Sequence, residues 1–344
     1  MNFRSDNVSG IVPEILAAIA AANSGDAPSY GADPITARVT RRFAEIFERE
    51  VAVFPLATGT AANALALAAV TPPWGAVYCH EESHVQTDEC GAPEFYAGGA
   101  KLIALPGADA KLSPATVEAR IIEQGVVHHA QPAAISISQA TEAGTLYSPA
   151  EVAALGALAS RRGLALHMDG ARFANAVAAL GCTPAEITWR AGVDVLSFGA
   201  TKNGALAAEA VIFFDPAKAV DFAYRRKRGG HLFSKMRFLS AQLDACLADD
   251  LWLRNARRAN RVAARLAEGL ASIAGARLRH PTQANEVFVE LPETVIRALA
   301  QAGFGFYRWG GEASPCLRLV AAFDSRLEDA EALIALARQH AGPG

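Results

Sequence analysis

The amino-acid sequence predicts an α/β protein in which helices cover a mostly parallel sheet. Short apolar runs bounded by Gly, Pro or Asp recur between residues 76 and 215, and alanine-rich segments with helical character separate them. Such alternation is typical of strands connected by helices. The predicted strands lie at 76–79, 101–107, 133–138, 164–169, 194–199 and 210–215.

The helix predicted over residues 148–163 illustrates how clearly the ends are marked. It begins with the capping pair Ser148 and Pro149 and finishes on a cationic turn before Gly163. After about residue 235 the pattern changes to a long polar helix, followed by shorter strands near 285–292 and 316–323. We therefore expect a large domain over 1–245, which includes an amino-terminal arm, and a smaller α+β domain over 246–344.

The composition favours a compact protein that handles a small molecule. Hydrophobic residues make up 51% and charged residues 19% of the 344 residues, so the chain is not of the disordered class. The net charge of -3 provides no footprint for nucleic acid or an anionic membrane. The densest basic cluster, residues 224–237, is interpreted as a solvated helix end.

The cysteines and the amino terminus predict a cytoplasmic location. Five widely spaced cysteines without a CxxC pattern indicate reduced thiols and neither a disulfide framework nor a zinc site. The amino-terminal segment is a poor signal peptide because Asp6 precedes its apolar run and Glu14 interrupts it. No apolar stretch reaches the roughly 18 residues of a membrane span.

Polar residues at the ends of the predicted strands are the first candidates for a site, because ligands of open α/β sheets bind outside the carboxyl ends of the strands. Asp169, Lys202 and His84 occupy such positions. Taken singly, each has a purely structural interpretation: a turn or helix cap for the aspartate, a solvated side chain for the lysine and a hydrogen-bonded structural role for the histidine.

Asp169 and Lys202 together indicate pyridoxal 5'-phosphate chemistry. A lysine amine forms a Schiff base with the cofactor aldehyde, and a carboxylate beside the pyridine nitrogen favours its protonated, electron-accepting form. Residues 54–70 supply a strand, then Gly59 and Thr60, then an apolar helix whose start can bind the phosphate. Neither a P-loop nor a dinucleotide GxGxxG pattern is present.

Several motifs appear together and in order along nearly the whole chain: "FRSDNVSG", "YGADP", "ATGTAAN", "ESHVQTDECGAP", "HMDGARFANA", "TKNG" and "LRLVAAF". In this arrangement the sequence resembles the low-specificity L-threonine aldolases, in the β-eliminating lyase group of fold type I pyridoxal phosphate enzymes. The resemblance implies the fold of the aspartate aminotransferase type, with a seven-stranded sheet.

The resemblance also implies roles for the residues that bind the cofactor. Lys202 corresponds to the Schiff-base lysine and Asp169 to the partner of the pyridine nitrogen. His84 corresponds to the residue that stacks on the cofactor ring, and we expect it to accept the proton of the substrate β-hydroxyl, with Glu89 as a lesser candidate. Contacts with the cofactor or its phosphate are expected from Gly59, Thr60, His84, Glu89, Asp169, Arg172, Lys202 and Lys235.

A second group of positions corresponds to residues that meet the substrate. Ser5, Arg172 and Arg318 match positions that hold the substrate carboxylate, for which the planar guanidinium fork is suited. Tyr30 matches a position near a subunit boundary. The resemblance implies a homodimer or homotetramer in which neighbouring subunits share active sites.

The sequence departs from the better-known branch of this family in two places. Where many relatives read "NTHNG", this chain reads "QATEAGT", so Thr141 or Glu142 occupies the region near the substrate hydroxyl. Where relatives read "SKG" around the lysine, this chain reads "TKNG", and the basic segment 224–237 is altered as well. The "HVQTDECGAP" and "TKNG" variants resemble a sub-branch that also includes phenylserine aldolases.

The expected activity is retro-aldol cleavage of an L-β-hydroxy-α-amino acid to glycine and an aldehyde. Threonine, allo-threonine and phenylserine are the candidate substrates. β-Elimination, racemisation and transamination remain open as alternatives, because the same lysine and aspartate serve all of them. A further alternative is a non-catalytic or nucleotide-binding α/β protein in which Lys202 is merely solvated.

Overall fold

A seven-stranded sheet forms the centre of the larger part of the molecule. The computed structural model describes residues 1–122 and 124–341. The strand order is β1-β7-β6-β5-β4-β2-β3, and the pairs are parallel except that β7 runs antiparallel to β1 and β6. The strands are β1 (Ala52–Leu56), β2 (Gly75–His80), β3 (Lys101–Leu105), β4 (Gln131–Ser138), β5 (Ala165–Gly170), β6 (Val195–Gly199) and β7 (Glu209–Phe213).

Helices connect these strands and cover the sheet. Their starts follow the local sequence: Ser148 and Glu151 form a reciprocal capping box before the helix Pro149–Arg162, and Gly163 ends that helix at a φ of 67°. The helices of this part are α1 (Pro13–Ala22), α2 (Pro34–Ile46), α3 (Gly59–Val70), α4 (His84–Thr87), α5 (Ala92–Tyr96), α6 (Pro114–Arg120), α7 (Pro149–Arg162), α8 (Phe173–Leu180), α9 (Phe222–Arg228) and α10 (Arg237–Leu247).

A second, antiparallel sheet of four strands follows in the order β10-β11-β9-β8. Its strands are β8 (Arg277–Leu278), β9 (Glu286–Glu290), β10 (Tyr307–Arg308) and β11 (Cys316–Val320), and its helices are α11 (Leu251–Ala271), α12 (Glu293–Gln301) and α13 (Leu327–His340). Phe3, at the other end of the chain, is 1% exposed and packs in the core of this sheet. Its N–H donates to the Gly305 carbonyl at 2.8 Å, and its carbonyl accepts from the Val320 N–H at 2.7 Å.

The helix α11 contributes to both hydrophobic cores. Trp252, near its start, packs in the first core, beneath the seven-stranded sheet, whereas Val262 and Leu266 pack in the second core, on the four-stranded sheet. Cys246 also lies in the first core. The division into domains 1–245 and 246–344 stays a prediction.

The basic segment 224–237 is only in part the solvated helix end that the sequence predicted. Lys227 and Arg228 are exposed, but Arg226 is half-buried, with its guanidinium 5.3 Å from the ring centre of Phe54. Burial lowers the pKa of Arg226 to about 10. All five cysteines lie in the described part of the chain and are free.

Across residues 1–122 and 124–341, every helix is too short or too polar to cross a bilayer.

Candidate active site

A cavity of about 630 Å³ opens at the carboxyl ends of β5 and β6. This is the edge of the sheet at which an open α/β fold is expected to bind its ligand. The structure brings six of the predicted site residues to its wall: Gly59, Thr60, His84, Asp169, Arg172 and Lys202. Glu142, which the sequence placed with Thr141 in the region near the substrate hydroxyl, also lines it, as do Asp6 and Glu209, to which the sequence had assigned no role.

Asp169 is fixed at the end of β5 by hydrogen bonds to both carboxylate oxygens. The residue is 5% exposed; its Oδ2 accepts from Asn63 Nδ2 at 2.8 Å and its Oδ1 accepts from the Ala171 N–H at 3.0 Å. The same Asn63 nitrogen donates to Glu89 Oε1 at 2.8 Å. Sequence reasoning missed Asn63, although a polar residue within the apolar helix α3 was a usable signal.

His167, in the same strand as Asp169, is hydrogen-bonded to both neighbouring strands. His167 is fully buried, and its two ring nitrogens lie 2.9 Å from Ser136 Oγ and 3.0 Å from Ser197 Oγ. Burial lowers the pKa of His167 to about 4, so the imidazole is uncharged near neutral pH. Hydrogen bonds from β4 and β6 thus hold the strand that carries Asp169.

Lys202 lies in a single 3-10 turn directly after β6. The turn ends at Gly204, whose φ of 107° suits glycine, and a β-carbon there would come within 2.2 Å of Val12 Cγ2. The neighbours of the lysine are held as well. Thr201 Oγ1 accepts from the Ala208 N–H at 3.2 Å, and Asn203 Nδ2 donates to the Trp252 carbonyl at 2.9 Å.

Glu209, at the start of β7, lies beside this turn. Its Oε2 accepts from the Ala200 N–H at 3.2 Å, and the residue is 6% exposed. Burial raises the pKa of Glu209 to about 7, although hydrogen bonding to Thr201 and the charge of Lys202 act in the opposite direction. The buried carboxyl therefore titrates near neutral pH within the site.

His84, the first residue of α4, is paired with Glu89. Its Nδ1 lies 2.9 Å from Glu89 Oε1. The hydrogen bond to Glu89 raises the pKa of His84, while burial raises the pKa of Glu89, which is 3% exposed. Glu89 contacts His84 and Asn63 and is not part of the cavity wall, so its predicted role toward cofactor or substrate stays a prediction.

The start of α3 also lies on the cavity wall. Thr58 caps the helix, with its Oγ1 accepting from the Ala61 N–H at 3.3 Å. The N–H groups of Gly59 and Thr60 belong to the first turn, where a helix has no internal acceptors for them. A β-carbon added at Gly59 would project into open space rather than against protein atoms.

Two buried carboxylates hold the two predicted arginines. Arg172 donates from Nε to Asp6 Oδ2 at 2.7 Å and from Nη2 to Asp6 Oδ1 at 3.1 Å. Glu286 lies between the arginines, with Oε2 at 3.4 Å from Arg172 Nη1 and Oε1 accepting from Arg318 Nε at 3.1 Å. Burial alone would raise the pKa of Asp6, but Arg172 and Lys202 outweigh it and hold that pKa below its ordinary value.

Besides Glu89, four predicted site residues lie outside the wall of this cavity. Arg318 donates from Nε to Glu286 Oε1. The Ser5 Oγ accepts from the Asn7 N–H at 3.1 Å and caps a short helical turn. Tyr30 is 51% exposed, with Lys227 Nζ 5.3 Å from its ring centre, and Lys235 is exposed. Their roles toward substrate or cofactor stay predictions.

Comparison with known proteins identifies the family. The beta-eliminating lyase family model matches residues 2–293. A low specificity L-threonine aldolase from Pseudomonas aeruginosa is 48% identical over 326 residues, which cover 95% of this chain and 94% of that protein. Among solved structures, the Leishmania major threonine aldolase has a TM-score of 0.92 at 30% identity and covers 98% of both chains.

A more distant structure bears on the fold alone. An aspartate aminotransferase from Rhodobacter sphaeroides has a TM-score of 0.72 at 19% identity, and the match covers 99% of this chain and 92% of that one. The predicted fold class is thereby confirmed. The chain belongs to the beta-eliminating lyase family, the resemblance that its sequence motifs indicated.

Proposed function

We propose that this protein is a pyridoxal 5'-phosphate-dependent aldolase that cleaves L-β-hydroxy-α-amino acids to glycine and an aldehyde. Threonine, allo-threonine and phenylserine are the candidate substrates. The observation that carries the proposal is the meeting of Asp169, Lys202, Arg172 and the start of α3 in one cavity. The 48% identity to a low specificity L-threonine aldolase supports the same reaction.

The residues on the cavity wall fit this cofactor. Asp169, whose carboxylate is buried and held by two donors, would pair with the pyridine nitrogen, and Lys202 would bond to the aldehyde carbon. The first N–H groups of α3 and the open space beside Gly59 would receive the phosphate. When bound, the cofactor supplies a conjugated ring that can accept the electron pair of the broken bond.

The side chains of this chain bind the substrate and select the bond that breaks. Arg172 presents a guanidinium group at the cavity for the substrate carboxylate, and its contacts with Asp6 fix its orientation. A carboxylate held in one place determines which bond of the α-carbon is aligned for cleavage. The β-hydroxyl group must lose its proton; His84, the acceptor that the sequence predicted, and Glu142 both line the cavity.

The protein is expected to act as a homodimer or homotetramer in the cytoplasm. The exposed positions of Tyr30 and Lys235 agree with a role toward a neighbouring subunit rather than toward their own cavity. Light scattering of the purified protein tests the assembly. The free cysteines agree with a reducing compartment.

The activity is tested with the purified protein loaded with pyridoxal phosphate. The wild type is expected to absorb visible light, to lose this absorption on borohydride treatment and to release aldehyde from threonine or phenylserine. The Lys202→Ala variant is expected to be colourless and inactive. Turnover of another amino acid without aldehyde release would favour β-elimination, racemisation or transamination, and equal spectra for both proteins would reject the Schiff base.

A further inference from the structure

Glu142 is a cavity carboxylate that the site as described so far does not use. Solvent reaches part of the residue, and the structure gives its side chain no hydrogen-bond partner within the described residues. The other carboxylates of the wall are each bonded: Asp6 to Arg172, Asp169 to Asn63 and Glu209 to the Ala200 N–H. A carboxylate left free in such a site is available to a ligand.

The loop that carries Glu142 is fixed on both sides of it. Gln139 is fully buried, and its amide accepts from the Tyr147 N–H at 3.0 Å and donates to the Tyr147 carbonyl at 2.8 Å. Between Gln139 and Tyr147, the Thr141 N–H donates to the Thr145 carbonyl at 2.9 Å, and Thr145 Oγ1 donates to the Asp109 carbonyl at 2.7 Å. The free side chain therefore stands on a rigid backbone, as a catalytic group requires.

Gly144 closes the loop against the second sheet. Its φ is +72°, and a β-carbon there would lie 3.0 Å from Glu286 Cβ and 3.1 Å from the Glu286 carbonyl oxygen. The loop thus packs beside the carboxylate that lies between Arg172 and Arg318. Glu142 itself lines the same cavity as Arg172, where the substrate carboxylate is expected to bind.

We propose that Glu142 accepts the proton of the substrate β-hydroxyl group; this inference rests on the proposed function. The O–H bond breaks toward a carboxylate oxygen of Glu142, and the hydroxyl electrons form the C=O bond of the aldehyde. The Cα–Cβ bond breaks, and its electron pair remains with the α-carbon. The α-carbon then gains a proton to give glycine, and Glu142 releases the proton it took, so the proton count balances.

The charges around Glu142 suit this role. Loss of solvation through burial raises the pKa of Glu142; Lys202 and Arg172 act to lower it, and Glu286 and Asp169 act to raise it. A carboxylate with a raised pKa is a stronger base than an exposed one. His84 differs in its contacts, because its Nδ1 already lies 2.9 Å from Glu89 Oε1, whereas the Glu142 carboxylate has no hydrogen-bond partner within the described residues.

The test compares Glu142→Gln with the wild type, both loaded with cofactor. Glutamine keeps the size of the side chain but cannot take a proton. We expect kcat for aldehyde release to fall roughly 100-fold, the usual contribution of a general base. The acidic limb of the kcat/KM profile, which reports the ionisation of Glu142, should disappear. Glu312→Gln, an exposed site outside the cavity, is the matched control and should behave as the wild type.

Two further measurements separate this role from a structural one. Exchange of the glycine α-proton with deuterated water, followed by NMR, does not involve a β-hydroxyl group. This exchange and calorimetric binding of glycine should stay within about twofold in Glu142→Gln. If the wild type cleaves the substrate and Glu142→Gln keeps the same kcat, the role of Glu142 is refuted while the proposed function stands. The same conclusion follows if Glu142→Gln loses α-proton exchange to the same extent as aldehyde release. A wild type that releases no aldehyde refutes the proposed function and this inference together.

Discussion

Because Glu209 is buried, we predict that its carboxyl group makes the free energy of unfolding depend on pH. Burial raises its pKa from the ordinary 4.5 to about 7. The unfolded chain therefore releases this proton at a lower pH than the folded protein does. Folding with an ionised Glu209 is disfavoured, and replacement by Gln should remove that cost while the acceptor for the Ala200 N–H is retained.

The sign and size follow from linkage. Below pH 4.5 both states hold the proton, so Glu209 costs nothing there. Between pH 4.5 and about 7 the folded state binds more protons, so its contribution to stability falls as pH rises. The pKa difference of about 2.5 pH units, at about 1.4 kcal/mol each, gives a cost of about 3 kcal/mol above pH 7.

The assay is urea unfolding of wild type and Glu209→Gln, both with the same concentration of cofactor, across pH 5 to 8. We expect the variant to gain stability over the wild type as pH rises, by about 3 kcal/mol at the alkaline end. Glu312→Gln, which changes an exposed carboxyl, should run parallel to the wild type. If Glu209→Gln also runs parallel to the wild type, the reasoning from burial is wrong.

Three other changes have defined outcomes. Glu89→Gln should lower the pKa of His84, read from imidazole NMR titration, because the hydrogen bond that raises this pKa is weakened. Asp6→Asn should lower the free energy of unfolding by about 3 kcal/mol at neutral pH, because the buried charge of Arg172 loses its carboxylate partner. Gly204→Ala should cost about 1–3 kcal/mol, because φ is 107° and the new β-carbon would come within 2.2 Å of a valine side chain.

For each of these three predictions, one result would contradict the reasoning or one control variant isolates its cause. An unchanged His84 titration in Glu89→Gln would mean that the imidazole ring is not coupled to this carboxylate. Because the pKa of Asp6 is depressed, its contribution is lost as pH falls through the folded pKa, so a cost of Asp6→Asn that persists in stronger acid would contradict the ion-pair explanation. Gly10→Ala, with negative φ and open space around its β-carbon, is the control for Gly204→Ala.

The sequence predicted the elements well where the signals are local. The predicted strands at 164–169 and 194–199 overlap β5 and β6, and the helix predicted over 148–163 is α7. Caps, glycine stops and apolar runs act over a few residues and can be read without the rest of the chain. The same is true of Asp169 and Lys202, because the end of a strand is itself a local feature.

The partners of the supporting residues could not be predicted, because they are distant in the chain. Asn63 bonds to Asp169 across 106 residues, and Asp6 bonds to Arg172 across 166. In the sequence, Glu286 is only one residue of a predicted strand. The packing of the second sheet is what places it between two arginines. Tertiary contacts of this kind leave no periodic trace in the sequence.

The arrangement of carboxylates links the site to the packing of both sheets. Phe3 is anchored in the second core and pairs with Val320, so the segment leading to Asp6 is fixed by the second sheet. Val320 is also the register partner of Glu286. Arg172, which follows β5 of the first sheet, therefore takes both of its partners from segments that the second sheet positions.

The position of the Arg172 guanidinium, where we expect the substrate carboxylate to bind, is in this way determined by segments from both cores. A change that loosens Phe3 from the second core should consequently alter substrate binding at Arg172 before it alters the wall formed by Asp169 and Lys202. Hydrogen bonds from α3 to Asp169 and between Thr201 and Ala208 hold that wall independently of the second sheet.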